Sequence, residues 1–467
     1  MSETTPKETA AFVQLMRQQG QDERVIQAFS SLYRRYRQGD TGKIPWAEVR
    51  EPEARDIVRY AELDTSTLRE RGEKLLGGLA VIRLNGGLGT TMKLERAKSL
   101  IAVRDGLSFL DVTARQILAL RERHGAQIPW LLMNSFRTRE HTLEKLAGYR
   151  NLAVRGLPLD FLQNKVPRIV KASALPASFA ESEDCWAPPG HGDIYLALWS
   201  TGLLERMRAE GIRWVFVSNV DNLGATVDPC ILGYLDRENV EFAMEVTDKT
   251  LADVKGGTLI RCRGRLELLE VAQVEDGHVQ DFQDIKTFSV FNTNNLWWRV
   301  DALLERLEQG ALDLPMIVNP KNVHGTDVVQ LETAMGAAVG CFARAKGIRV
   351  PRSRFAPVKG TSDLLAVRSD AYLLDDGFAI RPNPARDPAL GPPLIKLDDR
   401  FTKGVADFEA RFPYPLSLLA CKRLTVEGDV RFGRGVRVEG EVTVRNAAKE
   451  QRAVPDGALL ASGSHEL

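Results

Sequence analysis

The chain has 467 residues, 44% hydrophobic and 27% charged, with 63 basic against 62 acidic side chains and a formal charge of +1. That length predicts two to three domains with an ample core. The balance excludes a strongly cationic nucleic-acid coat and a globally disordered chain. The five cysteines, Cys185, Cys230, Cys262, Cys341 and Cys421, have no C-x-x-C spacing, so they indicate reduced thiols, with neither a disulfide framework nor a structural zinc site. The polar start MSETTPKETA and the lack of a run of about 18 apolar residues predict a cytoplasmic protein without signal peptide or membrane span.

Residues 1–78 are expected to form a helical segment packed on the remainder. Val25, Phe29, Leu32, Tyr33 and Tyr36 recur at helical spacing, Asp22 and Glu23 lead, Arg34, Arg35 and Arg37 trail, and Gly39 is a stop. Residues 79–380 then alternate apolar runs with amphipathic stretches. Residues 79–89, 128–136, 212–224 and 240–248 predict buried strands ending in polar loops, and 109–125, 193–211 and 227–239 predict helices between them. This alternation implies an α/β unit with a largely parallel sheet, whose ligands bind outside the carboxyl ends of the strands. Five prolines in 381–393 predict a linker over 381–394. In the C-terminal 395–467 the hexads TVEGDV, RFGRGV and RVEGEV place Val426, Phe432, Val438 and Val444 at one position and Val430, Val436 and Val442 at another. That period suits a parallel β-helix, the alternative being a β-meander.

Three loops carry groups suited to chemistry. LNGGLGTTMKLERAKSL (84–100) follows an apolar run, and its glycines let backbone N–H groups approach phosphate while Lys98 returns toward the same anion. It matches neither Walker A nor the G-x-G-x-x-G fingerprint, and a plain strand-to-helix turn is its alternative. CWAPPGHGDIY (185–195) offers His191 as a donor to a phosphate or sugar hydroxyl, or as a histidine satisfied within its own loop. VFVSNVDNLGA (215–225) presents Asn219, Asp221 and Asn222; a carboxylate there suits Mg²⁺, and the alternative is an Asx-turn cap. FNTNNLWW (291–298) is expected to be an Asn-rich loop followed by core tryptophans Trp297 and Trp298, and VPRSRFAPVKGTSDLL (350–365) carries Lys359.

Taken together, LNGGLGT, KSL, LMNSF, FLQNKVPRI, PPGHGDIY, SNVDNLG, KGGTL, FNTNNLW, QLETA, VPRSRF and SDLL, in order from Leu84 to Leu365, resemble the eukaryotic-type UTP–glucose-1-phosphate uridylyltransferases, the UDP-glucose pyrophosphorylase family. The resemblance implies a glycosyltransferase A-like, Rossmann-type core with a C-terminal β-helix, Mg²⁺ as cofactor, and conversion of UTP and glucose 1-phosphate to UDP-glucose and pyrophosphate. It implies nucleotide contacts at Leu84, Asn85, Gly86 and Gly87, a triphosphate contact at Lys98, and uracil contacts at Met133, Gln163 and Gly192. Substrate phosphate falls to His191, glucose to Asn219, Asn292 and Asn294, with Gly86 and Gly87 beside the sugar phosphate. Asp221 becomes the metal ligand, and Lys98 and Lys359 the charges at the reacting centre. Neither nucleic acid nor membrane is an implied partner, and a homo-oligomer through the C-terminal domain stays open.

The chain departs from the family pattern at Lys93, where glycine is usual, and at Gly360, where threonine is common. The nearest alternative is a pyrophosphorylase for galactose 1-phosphate or an N-acetylhexosamine 1-phosphate, because sugar choice depends on pocket shape at a hydroxyl. A dinucleotide-dependent oxidoreductase fails on the glycine spacing. A silent scaffold predicts loss of Lys98, Asp221 or Lys359, and all three are present.

Overall fold

The computed structural model describes residues 6–89, 92–94, 96–250 and 253–467. Its central sheet has eight strands: β1 (Ile57–Arg59), β2 (Leu79–Asn85), β3 (Trp130–Asn134), β4 (Asp160–Leu162), β5 (Trp214–Asn219), β6 (Phe242–Asp248), β7 (Val290–Arg299) and β8 (Ala345–Arg349). They lie in the order β1-β8-β6-β7-β5-β2-β3-β4. All neighbours are parallel except β7, which runs antiparallel to both β5 and β6. The four predicted strands are β2, β3, β5 and β6. Their near-continuous apolar character follows from burial on both faces: Val81, Trp130, Trp214 and Phe216 pack into one helical layer, and Ile82, Leu131, Val215 and Val217 into the other.

Helices complete the layers. Phe109–His124 opens with a capping box in which Ser108 and Asp111 satisfy each other's backbone N–H groups, and closes on Gly125 in the left-handed region. Pro229–Arg237 follows Asp228, whose side chain accepts from the Cys230 N–H. The stretch 193–211 differs from the single predicted helix. It breaks into Ile194–Ser200 and Leu203–Ala209 because Gly202, at φ +68°, turns the chain between them. The Asn-rich loop expected at 291–298 is also corrected, since it lies within β7 at the middle of the sheet. Trp297 and Trp298 are fully buried core residues, as expected.

At the N-terminus the helix Glu23–Arg37 starts where the Asp22 carboxylate accepts the Arg24 N–H at 2.8 Å. Phe12, Met16, Phe29 and Tyr33 pack against Ile169, Trp186, Met316 and Leu331, covering a small antiparallel sheet that includes Thr326–Thr333. In the C-terminal region Leu394–Lys396, Cys421–Glu427, Gly440–Arg445 and Gly463–Glu466 form one sheet, with two further strand pairs beside it. Each of these ladders is parallel, which excludes an antiparallel meander. The hexad residues Val426, Val430, Phe432, Val436, Val438, Val442 and Val444 are all buried, in one core with Met92, Phe109, Val358 and Leu364. Arg386, in the proline-rich stretch, anchors it by donating to the carbonyls of Leu418, Leu419 and Cys421. Among the described residues no helix is long and apolar enough to cross a membrane.

Candidate active site

The loops that end β2, β3 and β5 converge at the carboxyl edge of the sheet. β2 runs into Gly86 and Gly87; the Val220 N–H bonds the Leu84 carbonyl at 3.1 Å and the Gln163 N–H bonds that of Asn134 at 2.8 Å. Leu84, Asn85 and Met133 are buried beneath the loop. The Asn85 amide is used internally, donating to Asn134 Oδ1 at 2.7 Å and Thr142 Oγ1 at 2.8 Å. These three residues therefore form a floor, and what they can offer a ligand is backbone. Gly89 sits at φ +66°, and a Cβ there would lie 2.7 Å from Leu94 Cδ1, so the turn requires glycine.

On one side of this floor, Gln163 Nε2 donates to the Gly190 carbonyl at 2.7 Å, joining the loop after β4 to PPGHG, and an added Cβ on Gly86 would lie 3.1 Å from Gln163 Oε1. Gly192 lies against Thr333, where an added Cβ would meet Oγ1 at 2.4 Å. His191 is half-buried. Its Nδ1 accepts the Met335 N–H at 2.9 Å, which leaves the proton on Nε2 and makes the ring a neutral donor. Burial lowers its pKa to about 4 from 6.5, while burial raises that of the neighbouring Asp193 from 3.8 to about 6, against two hydrogen bonds from Asn164.

Those shifts have opposite signs. Between pH 4 and 6.5 the unfolded chain binds more protons at His191 than the folded one, so this contribution is complete above 6.5 and lost as pH falls toward 4. Asp193 contributes stability at low pH that is lost as pH rises from 3.8 to 6. His191→Gln removes the first effect alone. The difference between the parent and variant urea midpoints is expected to grow in the parent's favour from about pH 4 to 6.5 and to be flat above; a pH-independent difference would contradict it.

On the other side, the Lys98 N–H bonds the Gly87 carbonyl at 3.1 Å, and Lys98 Nζ donates to Asp221 Oδ2 at 2.6 Å with both side chains largely shielded. The Asp221 carbonyl in turn accepts the Val358 N–H at 3.4 Å, which brings Lys359 to the same edge. Lys359 is exposed. The Asp363 carboxylate accepts both the Lys359 and Gly360 N–H groups, at 2.7 and 3.0 Å. Burial pushes the Asp363 pKa up, opposed by these bonds and by the fields of Lys359 and Lys98.

The antiparallel course of β7 explains how the asparagines arrive. Val217 pairs with Leu296, so Asn219, just beyond, and Asn292 and Asn294, at the start of β7, share the carboxyl edge. A register shift opposite Glu245 and Val246 accommodates Asn294 at φ +59°, and Asn292 Nδ2 donates to its Oδ1 at 2.8 Å. Beneath them lies a network the sequence did not reveal. Arg354 grips the fully buried Glu245 with Nε at 2.8 Å and Nη2 at 2.6 Å. The same carboxylate accepts from Asn295 Nδ2 and Trp297 Nε1, both at 2.9 Å. Asn222 ties it to the loops by donating to Asn295 Oδ1 at 3.1 Å and accepting the Ala356 N–H at 2.9 Å. Burial works against the Arg354 charge, but Glu245 more than offsets it and raises its pKa.

The family profile described as UTP–glucose-1-phosphate uridylyltransferase matches residues 26–439. The chain belongs to that family. It is 46% identical over 438 residues to the UTP–glucose-1-phosphate uridylyltransferase of Solanum tuberosum, covering 93% of this chain and 91% of that one. The Hordeum vulgare enzyme of the same name is 46% identical over 439 residues, covering 92% and 91%. A UDP-glucose pyrophosphorylase variant from Leishmania major, solved in complex with UDP-glucose, superposes with a TM-score of 0.91 at 38% identity, over 99% of this chain and 100% of that one. The Trypanosoma brucei UDP-glucose phosphorylase gives 0.89 at 36% identity, with the same coverage.

Both departures from the family pattern have a structural setting. Lys93 adopts φ +53°, a left-handed conformation that favours glycine, and its ammonium reaches Asp407 at 3.3 Å. Gly360 has extended backbone and open space where a Cβ would stand, so threonine would fit there. The sequence signal for Asp363 is G-T-S-D, which has the spacing of a helix N-terminus, and the Asp363 carboxylate caps Thr361–Arg368.

Proposed function

We propose that this edge of the sheet transfers the uridylyl group of UTP to glucose 1-phosphate, releasing pyrophosphate. The observation that carries this reading is the convergence of Lys98, Asp221 and Lys359 on the glycine-rich loop, in a chain of this family. A phosphate oxygen of the sugar attacks the α-phosphorus and the pyrophosphate oxygen leaves in line. That nucleophile is already an anion, so no strong base is needed; the barrier lies in bringing two polyanions together. Lys98 and Lys359 offset the repulsion, loop N–H groups receive phosphate oxygens, and neutral His191 donates from Nε2 to the substrate phosphate. Asn219, Asn292 and Asn294 meet the glucose hydroxyls, and Met133, Gln163 and Gly192 border the uracil.

The residues fit Mg²⁺. Among the described residues no group of three His, Cys, Asp or Glu side chains could enclose a cation. Mg²⁺ is commonly held by one or two carboxylates with substrate phosphates completing its shell, and Asp221 is such a carboxylate. When bound, it would supply charge neutralisation at the triphosphate. Lys98 is free to exchange the Asp221 carboxylate for a phosphate as the nucleotide enters. Asp221→Asn is expected to raise the Mg²⁺ concentration for half-maximal rate, because the one carboxylate offered to the ion loses its charge; an unchanged titration would exclude Asp221 as a ligand.

The decisive assay measures pyrophosphate release from UTP with glucose 1-phosphate, galactose 1-phosphate or N-acetylglucosamine 1-phosphate, and from CTP, dTTP and ATP with glucose 1-phosphate. Release with UTP and glucose 1-phosphate is expected to dominate, and none at saturation would defeat the reading. The division we favour is 1–78, 79–380, 381–394 and 395–467. Val426 stands beside Val444, one three-hexad coil further on, which supports a parallel β-helix in the last of these. Among the described residues its end strand Gly463–Glu466 has one partner, and pairing of a second copy at that strand is a matter for a sizing measurement.

A further inference from the structure

The two loops that border the uracil are tied to each other by a residue to which the reaction gives no part. Asp193 closes PPGHGD and is 4% exposed. Its Oδ2 accepts the Asn164 N–H at 2.7 Å and its Oδ1 accepts Asn164 Nδ2 at 2.9 Å, so both oxygens go to the residue after Gln163. No cation acts on this acid, and burial raises its pKa to about 6 against the two Asn164 bonds. At neutral pH the fold therefore carries a buried charge that a neutral side chain would spare it.

What that carboxylate supplies is geometry. The chain leaves Gln163 and Asn164 into Val166–Pro167, which pairs antiparallel with Trp186–Ala187, and returns through 188–193. The strand pairing joins the two segments at one end, and Asp193 on Asn164 joins them at the other. Between these ties the Gln163 N–H is held by the Asn134 carbonyl, and Gln163 Nε2 by that of Gly190. Behind the loop stands Thr333, whose carbonyl would lie 2.4 Å from a Cβ on Gly190. Uracil offers an N3–H donor and an O4 acceptor where cytosine offers the reverse, and an amide free to turn over serves either base. Gln163 discriminates between them only while its frame is fixed.

We propose that Asp193 is a positioning residue for the base, setting Gln163 against Gly192 and with it the preference for UTP over CTP. This rests on the uridylyl-transfer reading, which places Gln163 and Gly192 at the uracil. His191, in the same loop, is held independently by the Met335 N–H, so the contact to the sugar phosphate does not depend on Asp193.

UTP and CTP binding to the full-length protein is measured by calorimetry, with steady-state kinetics beside it. Asp193→Ala is expected to raise the Kd and KM for UTP about tenfold, to narrow the kcat/KM ratio of UTP over CTP, and to leave kcat and the KM for glucose 1-phosphate within about threefold. Asp193→Asn has the shape of the protonated acid and regains both bonds once the Asn164 amide turns over. It should restore the UTP affinity while melting no lower than the parent at about pH 7.5, where the parent's buried charge is a cost. Should Asp193→Ala not fold, Asn164→Ala, which removes the Nδ2 bond alone, is expected to raise the UTP Kd about threefold. UTP affinity and base preference unchanged in both alanine variants would overturn the proposal, as would a kcat and a glucose 1-phosphate KM impaired as strongly as UTP binding. A parent that binds UTP without releasing pyrophosphate defeats the uridylyl-transfer reading and leaves the binding test standing; a parent that binds no UTP defeats both.

Discussion

Lys359→Ala is expected to lower kcat by about 10²–10³, the loss typical when one preorganised charge is withdrawn from a developing anion, with the urea midpoint nearly unchanged. The structure separates the two effects. The Lys359 side chain is exposed, its ammonium has no carboxylate within ion-pair distance among the described residues, and its nearest ring, Phe355, is 5.9 Å from Nζ. What shapes the loop is the Lys359 backbone N–H, held by Asp363, and alanine keeps it. Lys359→Arg restores charge but not the compact ammonium geometry, so it should recover part of the rate. Steady-state kinetics beside denaturant melts decide the matter, and a loss of stability in proportion to the rate would contradict the assigned role.

Glu245→Leu is expected to destabilise the protein by about 3–5 kcal/mol, the range for removing one member of a buried ion pair. Glu245 is 0% exposed and Arg354 3%, so leucine would leave a guanidinium in the interior together with idle donors on Asn295 and Trp297. Glu245→Leu combined with Arg354→Met should regain a substantial part of the loss, because the uncompensated charge then disappears as well. Denaturant unfolding of both single variants and the double measures the coupling; a double variant as unstable as the sum of the singles would mean that the pair is not the source. Arg354 also fixes the start of the segment that reaches Lys359, so kcat should fall in the folded fraction of Arg354→Met.

These two residues mark what was and was not legible in the sequence. Lys359 stands in a loop whose motif announces it, as do the glycines before Lys98 and the valine hexads, because each signal is local. Strands β2, β3, β5 and β6 were legible because burial on both faces demands unbroken apolar runs. Glu245 sits in such a run, VEFAMEVTD, and reads as an ordinary strand residue, since its partner lies 109 positions away. The asparagines of β7 misled for the same reason. Amides placed mid-sheet need acceptors that only the fold provides, and Glu245 and the register shift provide them. The break at Gly202 was visible as a glycine, but not its left-handed conformation.

The core that joins Met92, Phe109, Val358 and Leu364 to the valines of the C-terminal strands governs how the molecule comes apart. One continuous apolar core runs from the helix after Lys359 to the last ladders, so melting of the tail is expected to take that helix with it. Deleting the tail would open the apolar floor under both lysine-bearing loops to water, and heating should draw them into one endotherm with it.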